Sequence, residues 1–305
     1  MPGAVIVAHS HEPLSYSVDG ARGPISLRYF APPYALRSYF GSLYIFAVDM
    51  ARYADVTRAD VPQLRFMLTG GGDYHFHDGR STETPEICLL GPTMGATRFI
   101  LDRPSHVLGV SLLPAGWLAL QGEDASLWTD RARDMAACPT GDLHVGLLER
   151  LRTMDDPASM ADEVWKMLSG LLRPLPSATW GFLHTVDAWL TGEASPRVEE
   201  LVRESGLSAR QVARLTRKLY GAPPKLLARK YRALRCSARI AIDRENWQTL
   251  CEDGTFYDQS HFIREIRHFI GLTPHQLLTE PSAVAQLTML RRSLGGDVAA
   301  LNRMS

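Results

Sequence analysis

The residues best placed to do chemistry in this chain are arginines at helical spacing. Arg210, Arg214 and Arg217 stand at i, i+4 and i+7. On a helix they share one face, and Val212, Leu215, Thr216 and Leu219 share the other. A second set follows 50 residues on, with Arg264 between Ser260 and Arg267. Opposite that set lie Phe262, Ile266, Phe269 and Ile270; Gln259 opens the segment, and His261 and His268 flank it. A guanidinium so presented can bridge O6 and N7 of guanine with two hydrogen bonds, or grip a phosphate. On one helix alone a solvated basic face explains the pattern as well. Its recurrence on a second helix of the same design weighs against that account.

The elements that must position these residues are legible from their ends. Ser208 with Gln211 three residues later is a capping box, which starts a helix at Ala209, and Gly221 ends it. A shorter helix, Arg197 to Glu204, precedes it and stops at Ser205-Gly206, so the pair has the helix-turn-helix layout. Pro223-Pro224 opens a third helix that runs to about Ile242. Asp258 is the N-cap of the second arginine helix and Gly271 its stop; Leu272-Thr273-Pro274 opens one more helical turn. The tail from Leu294 is expected to fray. The helix between the two arginine faces, about 18 residues at 1.5 Å each, is a strut about 27 Å long. One turn of DNA is about 34 Å, so two such helices could enter successive major grooves from one side.

Ahead of this region the texture differs. Leu43 to Val48, Leu64 to Leu68, Glu86 to Leu90, Arg98 to Leu101 and His106 to Leu113 are short apolar runs punctuated by Gly70 to Gly72, Gly91-Pro92 and Pro114 to Gly116. They predict an all-β barrel or sandwich. Helical spacing then takes over at Leu143 to Arg152, Met160 to Leu172 and Trp180 to Leu190, and Thr191 to Pro196 reads as a linker.

The chain has 305 residues, enough for two domains, and its 45% hydrophobic and 22% charged content excludes general disorder. Its longest apolar stretch, Val107 to Leu120, contains Pro114 and is too short to span a bilayer. The start lacks the basic n-region of a secretory signal, and the four cysteines, far apart and without a C-x-x-C, read as reduced thiols; a cytoplasmic location is the expectation. The net charge of zero hides an asymmetry: Ser195 to Pro281 holds 15 Lys/Arg against 10 Asp/Glu, and Arg197 to Arg239 holds 12 against 3. A basic end on a neutral chain points to a polyanion partner. Wide, bulky apolar faces that need a core fit a membrane surface poorly.

These residues resemble the AraC/XylS family of bacterial transcription regulators over roughly Pro196 to Leu278. The most specific piece is FYDQSHFIREIRHFIGLTPHQLL (Phe256 to Leu278), similar to that family's second helix-turn-helix; Glu199 to Leu227 is similar to the first unit. One departure is Thr255 where members carry Gly, with Gly254 one place earlier; another is Cys251 where a small Ala is common. The resemblance implies base-reading positions at Arg210, Ala213 and Arg214 in the first unit and at Gln259, Ser260 and Arg264 in the second. Arg217, Lys218 and Arg267 are then assigned to phosphates, which orient the protein without reading sequence. Leu227, Tyr231 and Leu234 are assigned to packing on the strut.

The front half resembles the β-barrel sensor domains that precede such DNA-binding domains, through PAGW (Pro114 to Trp117) and LWTDRARDM (Leu127 to Met135). That resemblance implies a small effector, a dimer contact, or both, with Tyr74, Phe76 and Trp117 as candidate effector contacts. The expected fold class is α+β in two domains: a mostly β, cupin-like barrel or sandwich (1–140), a helical connector (141–194), an all-α tandem helix-turn-helix domain (195–281) and a C-terminal helix or tail (282–305). The expected partners are double-stranded DNA, with RNA polymerase, a small effector and a second copy as possible further ones; no membrane, metal or cofactor is expected.

Two competing readings remain. DYHFHDGRSTE (Asp73 to Glu83) holds His75-x-His77 and Glu83, and cupin enzymes use such a set for Fe, Mn or Zn because alternate strand residues share a face. Asp78-Gly79 is a hairpin turn signal, which favours a hairpin with exposed histidines. His9-x-His11 is a second such pair near the start. The other competitor is an architectural DNA binder without sequence preference. No G-x-S-x-G, Walker loop or dinucleotide fingerprint is present.

Overall fold

Residues 14–18, 25–192, 195–252 and 256–305 are described in the computed structural model. Eleven strands among them form two antiparallel sheets: β1 (Leu14–Val18), β2 (Ile25–Phe30), β3 (Phe40–Val48), β4 (Tyr53–Thr57), β5 (Gln63–Thr69), β6 (Gly72–His75), β7 (Ser81–Glu83), β8 (Ile87–Leu90), β9 (Thr97–Leu101), β10 (Ser105–Leu112) and β11 (Ala132–Asp134). The larger sheet has the order β1-β2-β3-β10-β5-β8-β11 and the smaller β4-β9-β6-β7. They face each other as a sandwich, with Leu27, Tyr29 and Leu90 of the larger sheet meeting Tyr53, Tyr74 and Phe99 of the smaller.

Helices α1 (Pro114–Gln121), α2 (Gly141–Arg152), α3 (Pro157–Leu171) and α4 (Ser177–Gly192) follow. Leu147, Leu151, Val164 and Leu168 of α2 and α3 cover the outer face of the larger sheet through Leu108, Val110 and Leu112. Strand β10 is therefore covered on both faces. That is why its sequence is a continuous apolar run and not an alternation. The short strands β4, β6 and β7 carried no such run; β6 and β7 were legible only through the Asp78-Gly79 turn, and β4 escaped the sequence reading. Their alternating burial follows from a sheet with one face toward the core.

The rest of the chain is helical: α5 (Val198–Ser205), α6 (Ala209–Tyr220), α7 (Pro224–Ala241), α8 (Trp247–Glu252), α9 (Gln259–Ile270), α10 (Pro274–Thr279), α11 (Ala283–Met289) and α12 (Ala300–Met304). Of these, α6 and α9 start and stop where the caps predict, and α7 and α10 start where the prolines do. Ser208 and Gln211 make both hydrogen bonds of the capping box, Thr273 and Gln276 make another, and Asp258 accepts from the His261 amide. Val212, Leu227, Tyr231, Leu234, Phe262 and Ile266 are buried together with Leu183, Val186 and Trp189 of α4; Leu215 is half-buried against them.

One expectation is corrected. The tail does not fray: α11, a 3-10 stretch over Leu290–Asp297 and α12 fold back onto the sandwich, and Leu301 and Asn302 are buried. Sandwich and helices are also packed together, since Ala59, Val61, Met94, Leu113 and Ala115 from the front half belong to the core of the helical part. All four cysteines are unbridged. No helix among the described residues is long and apolar enough to cross a membrane. Glu193 and Ala194 of the linker, the His9-x-His11 pair and the Gly254–Thr255 departure lie outside the described residues.

Candidate nucleic-acid interface

Helices α6 and α9 share a local design. Each begins at a side-chain N-cap, buries one apolar stripe and ends at a glycine in the left-handed region, Gly221 at φ 83° and Gly271 at φ 86°. The capped start leaves the first turns projecting. Arg210, Arg214 and Arg217 are exposed on α6, with Ala213 and Lys218 half-buried beside them; Gln259, Ser260, Arg264 and Arg267 are exposed on α9. None of these arginines, nor Lys218, makes an ion pair with another described residue. The basic residues elsewhere in the region are engaged differently. Arg229 holds Glu265 through two hydrogen bonds of 2.9 and 2.7 Å, Arg239 holds Glu245, Arg197 pairs with Glu200, and Lys230 is buried. Part of the charge excess is therefore paired with neighbouring carboxylates or buried, whereas the arginines on α6 and α9 have no described carboxylate partner.

The strut α7 joins the two units. Its Arg229 grips Glu265 on the buried flank of α9. Burial alone would push the Glu265 carboxyl up, but the Arg229 guanidinium outweighs it and holds the carboxyl below the ordinary range. On the other unit, Tyr220 at the end of α6 donates to Asp187 of α4 at 2.6 Å, and burial raises Asp187 to about 6. Both arginine faces are thus fixed by charged or polar contacts on their hidden sides.

The C-terminal ends of α6 and α9 are anchored on the sandwich, a feature with no signature in the sequence. The last carbonyls of a helix lack intrahelical donors. Here the sandwich supplies them: Ala59 and Ala96 amides donate to Phe269 and His268 carbonyls at 2.7 and 2.8 Å, and Thr129 Oγ1 donates to the Gly221 carbonyl at 2.8 Å. A side chain at either cap glycine would also collide with the sandwich, because a Cβ there would lie 2.4 Å from Pro92 at Gly221 and 2.4 Å from Val56 at Gly271. The free halves of both helices are the N-terminal halves, which are the ones that reach base edges in helix-turn-helix proteins.

The histidine motif takes part in the same junction. Strands β6 and β7 form the expected hairpin, with Gly79 at φ 88° in its turn. His77 pairs with Asp130 at 3.1 Å and meets the His268 ring edge-on at 4.8 Å between centroids; His268 in turn hydrogen-bonds the Met94 carbonyl. The hydrogen bond to Asp130 raises the His77 pKa, whereas burial and the neighbouring His77 charge lower that of His268. The pair is a contact between hairpin and second recognition helix. No group of three or more His, Cys, Asp or Glu among the described residues could hold a metal ion.

Of the three candidate effector contacts, one lines a cavity. Tyr74 lines a cavity of about 80 Å³ between the sheets. Phe76 packs in the sandwich core against Tyr74 and is not part of the cavity wall. Trp117 is fully buried beneath the larger sheet, with its Nε1 donating to the Glu123 carbonyl at 3.0 Å.

Two helix-turn-helix units on one strut, each presenting unpaired arginines on its recognition helix, define a DNA-binding class. Residues 201–280 match the family model described as a helix-turn-helix domain, so this part of the chain is a helix-turn-helix domain. No curated protein matches the chain. Among solved structures, wild-type ToxT from Vibrio cholerae with an unsaturated fatty acid bound is 13% identical, over 79% of this chain and 95% of that one, at a TM-score of 0.44. The AraC-like transcriptional activator CuxR is 14% identical over 71% of this chain and 82% of that one, at 0.32. An oxalate decarboxylase from Bacillus subtilis is 14% identical over 29% of this chain and 25% of that one, at 0.23.

Proposed function

We propose that this chain is a sequence-specific DNA-binding regulator of transcription, acting in the cytoplasm, whose α6 and α9 enter successive major grooves of one duplex. The observation that carries this reading is the pair of capped helices, free at their N-terminal halves and joined by an 18-residue strut. In it, Arg210, Arg214, Gln259, Ser260 and Arg264 read base edges, with the Ala213 methyl available to a thymine methyl. Arg217, Lys218 and Arg267 hold phosphates and supply the salt-sensitive part of the affinity. The sandwich modulates this binding through the contacts at Ala59, Ala96 and Thr129, and the cavity at Tyr74 is where a small effector would act. A second copy and RNA polymerase are further partners in this reading; Leu143 and Val145 on α2 are exposed apolar residues a second copy could cover.

Selection of bound duplexes from a random DNA pool tests the proposal. Wild type should enrich a site with two short blocks about one helical turn apart, and an Arg210→Ala/Arg264→Ala variant should lose one position in each block. Retention of DNA without any enriched sequence would instead support an architectural binder.

A further inference from the structure

Three residues between β8 and β9, Met94 to Ala96, meet the end of α9 on one side and the β6–β7 hairpin on the other. The Ala96 amide donates to the His268 carbonyl at 2.8 Å, and the Met94 carbonyl lies 2.9 Å from His268 Nε2. The Met94 amide donates to Asp130 Oδ1 at 2.8 Å, and Asp130 Oδ2 faces His77 Nε2 at 3.1 Å. Gly95 lies against His77, where a Cβ would stand 2.3 Å from the imidazole. The two rings meet edge-on at 4.8 Å between centroids. The main chain of 94–96 is thus held between two histidines, one from the hairpin and one from the second recognition helix.

A carbonyl only accepts, so His268 Nε2 carries a hydrogen and a further proton goes to Nδ1. The charged groups that act on this ring are His77 from the hairpin, Glu265 from α9 itself and Arg229 from the strut. Asp130, Asp78 and Arg80 act on His77. His77 takes its proton first, because the hydrogen bond to Asp130 raises its pKa. A proton added to His268 then meets burial and the His77 charge, which hold its pKa down. The Met94 hydrogen bond and Glu265 pull the other way without reversing the outcome, and Arg229 already grips the Glu265 carboxylate through two hydrogen bonds. Among the described residues no third donor joins the pair to hold a metal ion.

We propose that His268 is a positioning residue for DNA recognition: its neutral imidazole locks the end of α9 onto the sandwich, and uptake of a proton releases it. The inference rests on the DNA-binding reading for what α9 does, and on the junction alone for how it is held. Release carries His268 away from His77 and into water, where its pKa returns to the ordinary 6.5. The released form therefore binds the proton more tightly. The lock is complete above about pH 6.5 and weakens as pH falls below it. His77 and Asp130 both belong to the sandwich, so their hydrogen bond survives release and does not oppose it. Once α9 is loose, Gln259, Ser260 and Arg264 are no longer held in a fixed relation to Arg210 and Arg214. They must be ordered on binding, which costs affinity.

The test follows amide hydrogen exchange and the imidazole resonances of the full chain, without DNA, between about pH 7.5 and 5.5. Once intrinsic exchange rates are divided out, protection at the Ala96 and Ala59 amides, which donate to the last carbonyls of α9, should fall by about five-fold or more, while the amides of β10 stay protected. His268→Gln keeps an N–H for the Met94 carbonyl and cannot titrate, so its protection should not change with pH. His77→Gln removes the opposing charge and should shrink the loss. Wild-type protection that does not change with pH, or a His268 resonance that titrates at or above the ordinary histidine value, would overturn the lock even if neither variant folds. Retained pH dependence in His268→Gln would overturn the assignment to His268. Duplex selection at the two pH limits reads the consequence: the block read by α9 should lose sequence preference at low pH before the block read by α6. No loss, or equal loss in both, would overturn the positioning role. A chain that enriches no site at the upper pH fails as a regulator whatever its exchange shows, so the two failures give different results.

Discussion

At the scale of single residues, the arginines divide by what surrounds them and not by type. Arg229 and Arg291 hold carboxylates inside the molecule, while Arg214 and Arg264 have no described carboxylate partner and project from capped helix starts. Arg214→Ala and Arg264→Ala should each cost about 1–3 kcal/mol on the selected site and little on random duplex, because a bidentate guanine contact discriminates between bases. Arg217→Ala and Arg267→Ala should weaken both alike and lower the slope of log affinity against log salt by about 1 each. Quantitative gel shifts on the selected and a scrambled duplex at several salt concentrations separate the two classes. If Arg214→Ala weakens both duplexes equally, that arginine holds phosphate.

At the scale of elements, caps and hidden polar contacts set the aim of each recognition helix. Ser208→Ala removes an acceptor from the start of α6 and should lower thermal stability by about 1 kcal/mol, with a larger loss of DNA binding than of stability if the first turn carries Arg210 into the groove. Denaturant melts beside binding curves check this. Asp187 is the contact between α4 and α6. Its folded pKa, raised by burial to about 6, lies above the value of an unfolded aspartate. The native state therefore binds the proton more tightly. The stability contributed by Asp187 is fully present below about pH 4 and is lost as pH rises through about 6. Asp187→Asn keeps the acceptor for Tyr220 without the charge. It should raise the melting temperature at pH 7.5, by an amount equivalent to about 1 kcal/mol given that Asp187 is only half-buried, and flatten the pH dependence between 4 and 7. A variant that melts lower than wild type at pH 7.5 would count against this account.

At the scale of the whole molecule, the tail is the strap that joins the parts. Val284 donates to Asp55, Arg291 holds Asp60, Asn302 accepts from the Ser42 amide, and Arg37 pairs with Asp297. Each contact bridges the sandwich and the segment beyond the helix-turn-helix units. Truncation after Pro281 should leave both units folded but loosen their junction. It would expose the apolar wall at Leu27 and Phe99 and open the segment around Arg58 to limited proteolysis. It should also spare the selected sequence. Proteolysis with mass mapping, and duplex selection repeated on the truncated chain, measure these separately. Unchanged cleavage kinetics would show that the tail is not the strap.

What could be read along the chain was whatever depends on near neighbours. The capping boxes at Ser208 and Thr273, the glycine stops at Gly221 and Gly271, the apolar stripe of α9 and the Asp78-Gly79 hairpin all arise from contacts within four residues, so composition and spacing suffice for them. The two arginine faces belong to the same group, since a helix period fixes which residues share a side. Other features depended on residues far apart in sequence. Trp117 went to the core beneath the larger sheet and Tyr74 to the cavity wall, although both are aromatic residues in apolar settings. The tail folded back because Arg291 meets Asp60 and Leu287 meets the open end of the sandwich, pairings that no local period encodes. The anchoring of α6 and α9 likewise needed donors from loops at Ala59, Ala96 and Thr129. A helix end advertises its unpaired carbonyls in sequence, but which distant amides satisfy them is settled only when the chain packs.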